Sequence, residues 1–410
     1  MADKKALVSP VISDIKSKMK RGKLVPADDA VRLIADGDTV VFDGFVGACV
    51  PDELIIAIES RFIRDGSPKG LTFLNTSALG DGRDGGINRL AHEGIVRRMI
   101  AGHWGLTPKL GRLAMDGLIE AYNFPQGVIS HMLRDIAAGN PRTISRVGLG
   151  TFVDPRLGGG RINGRTTEEL VELLQFDGKE YLAYKTMPVN VALLRGTTAD
   201  LDGNITMEHE AVTLEVLPAA MAARNSGGVV IVQVERIADR HSLKPRDVKI
   251  PGMLVDCVVV ARPGNHRQTA AEIYSPAFSG EFRVPLASVE AMPMGDRKII
   301  ARRAAMELRP NMVVNLGIGM PEGVASVANE EGVLDYLTLT AESGTIGGIP
   351  AGGLNFGAAT NMDCLLDMHT QFDFYDGGGL DLACLGMAQM DGEGDVNVSR
   401  FGPKLAGCGG

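Results

Sequence analysis

The chain has 410 residues, 45% of them hydrophobic and 22% charged, enough to build two or three domains and too apolar for a disordered chain. Its formal net charge is −8, so it lacks the basic face that nucleic-acid phosphates require. Glycine is the unusual component: 52 residues, against ~7% in ordinary domains, clustered at strand ends like loops where backbone approaches a ligand.

The first 25 residues have no continuous apolar run of the signal-peptide kind, and the basic cluster from Lys16 to Lys23 reads as a solvated helix end. Residues 26–34 predict a helix with acidic residues at its start. A β-branched strand follows, then a glycine turn at Gly44 and Gly47, and Pro51 opens a helix. Residues 71–75 predict a strand, and 111–120, 126–138 and 219–225 predict helices. Residues 227–234 are apolar but for Gln233, as in a parallel strand covered on both faces, and 255–260 around Cys257 form an apolar strand pattern that includes Asp256. Pro and Ser mark 274–293 as linker. Beyond it, residues 297–308 predict a helix, 312–316 a strand, 321–331 a helix, and 336–340 and 380–385 two more strands.

This order contains a repeat. Strand, glycine turn and proline-led helix at residues 38–54 recur at 311–324, and residues 191–205 are echoed by 382–396. Two related, doubly wound α/β domains are expected: residues 1–280, a linker at 281–295, and residues 296–410, with the active site between the halves. The longest uncharged run, residues 343–362, carries six glycines and a proline and cannot be a membrane helix. Five cysteines (Cys49, Cys257, Cys364, Cys384, Cys408) and seven scattered histidines show no metal-ligand spacing, so no metal and a reduced, cytoplasmic setting are expected.

The chemistry concentrates in residues 312–348. Glu342 falls at the carboxyl end of a predicted parallel strand, where α/β sheets bind ligands, and Gly317 and Gly319 end the neighbouring strand. Further on, Gly377, Gly378 and Gly379 precede a strand and present unobstructed N–H groups of the kind that suit a developing oxyanion. A rival reading takes Gly317, Gly319 and Gly323 as a loose dinucleotide fingerprint, with Glu342 at the ribose position.

The chain resembles the family I CoA-transferases, in particular the short-chain acyl-CoA:acetate and 3-oxoacid group. The first signature of that family stands here as Asp36-Gly37, Val40-Val41-Phe42, Asp43-Gly44-Phe45 and Pro51, with Asp43 and Cys49 in place of glycines. The second, which carries the catalytic Glu, stands as Ala341-Glu342-Ser343-Gly344 followed by Ile346-Gly347, and residues 372–401 also look like a subgroup with Glu-Ser-Gly. The resemblance implies an enzyme that moves CoA between a short-chain acyl-CoA (acetyl-, propionyl-, butyryl- or acetoacetyl-CoA) and a carboxylate such as acetate. Glu342 would be the nucleophile, Gly378 the oxyanion donor, and Gly317, Gly319, Gly377 and Gly379 the residues at CoA. An ordinary Glu pKa of about 4.3 would leave that nucleophile ionised. The expected protein has acyl-CoA and carboxylates as substrates, no permanently bound cofactor, no nucleic-acid or membrane partner, and forms a homo-oligomer. An NAD-dependent oxidoreductase using the Gly317 loop and a non-catalytic acyl-CoA-binding protein are the alternatives. Relative to the resembling family the second domain reads as C-terminally truncated, which predicts a bare apolar patch and an unpaired strand edge.

Overall fold

The computed structural model describes residues 22–285 and 291–409. Most of the basic cluster at Lys16–Lys23 and the middle of the expected linker lie outside the described residues. The first sheet has seven parallel strands: β1 (Thr39–Phe42), β2 (Leu71–Asn75), β3 (Val96–Ala101), β4 (Glu120–Asn123), β5 (Val191–Arg195), β6 (Val229–Val234) and β7 (Cys257–Val260). Their spatial order is β7-β6-β5-β1-β2-β3-β4. The chain reverses its winding at β1, and the loops after β1 and β5 therefore flank the crevice where doubly wound sheets hold ligands.

Helices cover both faces, which is why strands such as β1, β6 and β7 read as largely apolar runs. In chain order they are α1 (Ala27–Ala30), α2 (Asp52–Asp65), α3 (Pro108–Met115), α4 (Gln126–Ala138) and α5 (Val216–Asn225). Val40 and Phe42 pack on the α2 side, whereas Val41 points to the opposite face with Val128, Ile129 and Met132 of α4 and Ala219 of α5. The alternation along β1 thus divides one sheet between two cores. The helix expected at residues 111–120 starts earlier and stops earlier. Pro108 sits in its first turn, Gly117 adopts φ +70°, and Glu120 already belongs to β4.

The second half begins with α6 (Asp296–Ala305) and builds a smaller mixed sheet. Its strands are β8 (Val313–Leu316), β9 (Thr338–Thr340), β10 (Thr345–Ile346), β11 (Cys364–Leu365) and β12 (Leu382–Cys384), ordered β11-β10-β9-β8-β12. Helix α7 (Glu322–Glu330) connects β8 to β9, and α8 (Met368–Asp376) precedes β12. Strands β9, β8 and β12 are parallel, while β10 and β11 return antiparallel. The internal repeat is visible in the pairing. β1 lies beside β5 with Val40 opposite Val191, and β8 lies beside β12 with Val314 opposite Leu382. Strand β12 is one of the two outer strands of this sheet, and Leu385, Met387 and Met390 beyond it are exposed.

The halves share a core. Phe356, Met368 and Phe372 from the second half belong to the same buried cluster as Phe45, Val128 and Leu214 from the first. Phe372 lies against Gly127 of α4 so closely that a Cβ there would stand 2.5 Å from its ring. Near the end of the described chain, the Cys408 N–H donates to Asn123 Oδ1 (3.0 Å) and the Gly409 N–H to the Gly102 carbonyl (2.9 Å), at the carboxyl ends of β4 and β3. Phe372 is only 4% exposed, so Phe372→Ala should cost about 3–5 kcal/mol of stability by opening a cavity between the halves. Urea unfolding measures this, and a loss below about 1 kcal/mol would mean the halves do not stabilise one another through this ring.

Candidate active site

Strand β9 ends in a turn that folds back into β10. The Ala341 N–H donates to the Thr345 carbonyl (3.0 Å) and the Gly344 N–H to the Ala341 carbonyl (3.0 Å), leaving Glu342 and Ser343 at the two central positions. Ser343 is fully buried and its hydroxyl donates to the Gly357 carbonyl (2.7 Å). Gly344 has φ +111°, and a Cβ there would lie 2.0 Å from the Leu366 carbonyl oxygen, so no other residue fits. The Leu366 N–H in turn donates to Gly344 (2.8 Å), which fixes the turn against a second strand of backbone.

Glu342 is thereby held at the tip of a rigid turn, half-buried. Burial pushes its pKa up to about 7, because desolvation penalises the carboxylate form and no cation among the described residues offsets it. The ordinary carboxylate value expected above does not hold, since exposure of the side chain is set by chain segments distant in sequence. Beside it, Tyr375 of α8 donates to Thr340 Oγ1 (2.7 Å), which donates onward to the Val314 carbonyl (3.2 Å). Burial raises the Tyr375 hydroxyl pKa, and the Glu342 charge raises it further. Asn315, opposite Thr340 in the ladder, and Thr345, across the turn, each keep a buried side-chain oxygen without a hydrogen-bond partner among the described residues. Tyr375 and Asn315 were not singled out from sequence. The available signal was an amide inside the apolar run of β8.

Gly317 and Gly319 follow β8, immediately beside β9, and so share the carboxyl edge of the sheet with Glu342. The Gly317 N–H continues the ladder to the Cys384 carbonyl (2.9 Å). The Gly319 N–H donates to Glu322 Oε1 (2.7 Å), which also accepts from Gly353 (3.1 Å). A carboxylate thus occupies the donors that a dinucleotide pyrophosphate would need.

The glycine run is placed elsewhere, and this corrects the oxyanion reading. Gly377 ends α8, and Gly377, Gly378 and Gly379 donate their N–H groups to the carbonyls of Asp373, Tyr375 and Phe374 at 3.1, 3.0 and 2.9 Å. They cap a helix C-terminus, with Gly378 at φ +92°. They precede β12, at the amino edge of the parallel strands, and have no free donor to offer either an oxyanion or CoA.

The first half reaches the site through the loop after β1. The Phe45 ring stands 5.8 Å from that of Phe356, and a Cβ on Gly357 would lie 2.5 Å from Phe45. Because Gly357 receives the Ser343 hydroxyl, Phe45 backs the Glu342 turn from across the interface.

Comparison with known proteins points to one family. A family model described as coenzyme A transferase matches residues 25–261. The chain is 49% identical over 394 residues to the caffeate CoA-transferase of Acetobacterium woodii, a match spanning 95% of this chain and 75% of that one. It is 41% identical over 391 residues to the acetate CoA-transferase YdiF of Escherichia coli strain K12, spanning 95% of this chain and 73% of that one. The crystal structure of the acyl-CoA transferase YdiF of E. coli O157:H7, a thioester complex with CoA, superposes with a TM-score of 0.88 at 40% identity, over 94% of this chain and 73% of that one. These matches leave the dinucleotide alternative without support. The chain belongs to the coenzyme A transferase family, as an enzyme of the acetate and 3-oxoacid type.

Proposed function

We propose that this enzyme moves CoA between a short-chain acyl-CoA and a free carboxylate such as acetate, through a thioester on Glu342. The carrying observation is a half-buried carboxylate of raised pKa on a turn packed backbone to backbone against Leu366. A similar structure being a thioester complex with CoA supports the same reading. The Glu342 carboxylate attacks the thioester carbonyl, the C–S bond breaks, and CoA thiolate leaves an acyl-glutamyl anhydride. The thiolate then attacks the glutamyl carbonyl, releasing the acid and forming the Glu342–CoA thioester; the acceptor carboxylate reverses both steps. No net proton moves, so neither a base nor a metal is required by the balance. Gly317 and Gly319, on the same edge of the sheet, serve as the loop along which CoA approaches. The same reading has the enzyme cytoplasmic and homo-oligomeric, free of a permanent cofactor, with domains at 1–280 and 296–410 joined by 281–295. Among the described residues no helix is long and apolar enough to cross a membrane.

The 49% identity to a caffeate CoA-transferase favours a second reading, in which the acid is aromatic. Direct competition of acetate and caffeate for the loaded enzyme separates the two.

Incubation with acyl-CoA and no acceptor should attach CoA to the peptide containing Glu342, and borohydride should reduce that thioester and inactivate the enzyme. Glu342→Gln keeps the volume and removes the anion, so transfer should fall by orders of magnitude. Near-normal turnover by the Gln variant would end the assignment. A pH dependence follows from the raised pKa. Glu342 is protonated below about 7 and ionised above it, so kcat/KM for acyl-CoA should climb through about pH 7 and then level. A rate already flat from pH 5 upward would show that the nucleophile is not this buried carboxyl.

A further inference from the structure

The loop that brings Phe45 to the Glu342 turn begins at a buried acid. Asp43 directly follows β1, is 2% exposed, and accepts from the Gly44 N–H through Oδ1 (3.0 Å). Its Oδ2 makes no well-formed hydrogen bond among the described residues; the Asp43 carboxyl faces Glu215, at the N-cap position of α5, whose carboxyl and backbone N–H both act on it. Glu215 is fully buried, accepts from Thr76 Oγ1 through Oε2 (3.4 Å) and has the Ser130 hydroxyl beside it, while its Oε1 is likewise without a donor. Among the described residues, the titratable groups that act most strongly on the pair bring no positive charge. Asp367, ahead of α8, acts on Glu215, and the Cys49 thiol, itself held between Glu210 and Arg195, faces Asp43.

Two buried carboxylates that face each other resist ionising together. One proton between them satisfies both orphaned oxygens at once. Burial raises both pKa values; the Glu215 charge raises that of Asp43 further, whereas a proton donated from Asp43 favours the ionised form of Glu215. Loss of that proton would set two bare negative charges against each other at the root of the loop carrying Phe45.

We propose that Asp43 and Glu215 are positioning residues for the transfer reaction: their shared proton pins the Gly44–Phe45 loop against Gly357 and so holds the Ser343 and Glu342 turn in place. The inference rests on the reading of Glu342 as nucleophile. It acts through Phe45 and Gly357, and neither carboxyl touches a reacting atom.

The test is the alkaline side of the pH profile of kcat. The wild type should pass a plateau and then decline, approaching about tenfold per pH unit once the shared proton is lost. Asp43→Asn supplies a permanent N–H to Glu215 and should abolish that decline while the acid limb set by Glu342 stays. Asp43→Ala should lower kcat more than it changes KM, and Asn should rescue it. An Asn variant that declines along the wild-type limb would overturn the proposal, as would a wild type with no decline. A second readout needs no variant. The infrared carbonyl band of a protonated carboxylic acid should persist in the wild type above the pH at which Glu342 has ionised, and absence of that band overturns the shared proton. Mapping of CoA on Glu342 in the same samples separates the two ideas. A missing adduct refutes the nucleophile, whereas an adduct with an unchanged alkaline limb refutes the positioning pair.

Discussion

Removing a carboxylate from water without giving it a cation is the constraint on which the rest of this molecule depends. Glu342 must lose enough hydration to become a strong base and nucleophile, yet still ionise near neutral pH. A surface turn would meet only the second demand and a closed core only the first. The solution is a turn backed by uncharged groups: the Leu366 backbone against Gly344, the Ser343 hydroxyl on Gly357, and Tyr375 tied to Thr340. Each excludes water or fixes geometry, and none neutralises the acid.

The duplicated α/β unit explains where those groups come from. Gly44 follows β1 as Gly317 follows β8, and in each half the following residue is apolar, Phe45 in one and Ile318 in the other. The second half keeps its loop open beside Glu342, with Ile318 exposed. The first half turns the equivalent residue into a wedge, with Phe45 only 2% exposed and seated on Gly357. One copy thus supports the chemistry and the other supports the copy that carries it. The shared core around Phe372 and Gly127 then holds the halves in the register that this division requires.

Much of this was legible in the chain because it depends on local pattern. The strand Leu71–Asn75 and helix Gln126–Ala138 are found at their expected residues, since an apolar run and a helical stripe each determine an element within a few turns. The pairing of repeat strands was equally readable, as was the position of Glu342 after a parallel strand. Gly377–Gly379 failed for a physical reason. Three glycines serve a strand approach and a helix C-terminus alike, and the choice depends on α8. That helix has no side-chain cap at Asp367, and its clearest support is tertiary, through Phe372 on α4. The raised pKa of Glu342 and the meeting of Asp43 with Glu215 were out of reach for a similar reason, because both arise from segments brought together only by folding.

The route of the oxygen atoms tests the central claim most directly. In the second half-reaction the acceptor carboxylate attacks the Glu342–CoA carbonyl, and when thiolate then cleaves the anhydride on the acyl side, the bridging oxygen stays with the enzyme. Turnover with acetate labelled by ¹⁸O in its carboxylate, followed by mass spectrometry of the peptide containing Glu342, should therefore find heavy oxygen in that side chain. A peptide that remains unlabelled after many turnovers would contradict the account, because the acceptor would have reached CoA without bonding to Glu342.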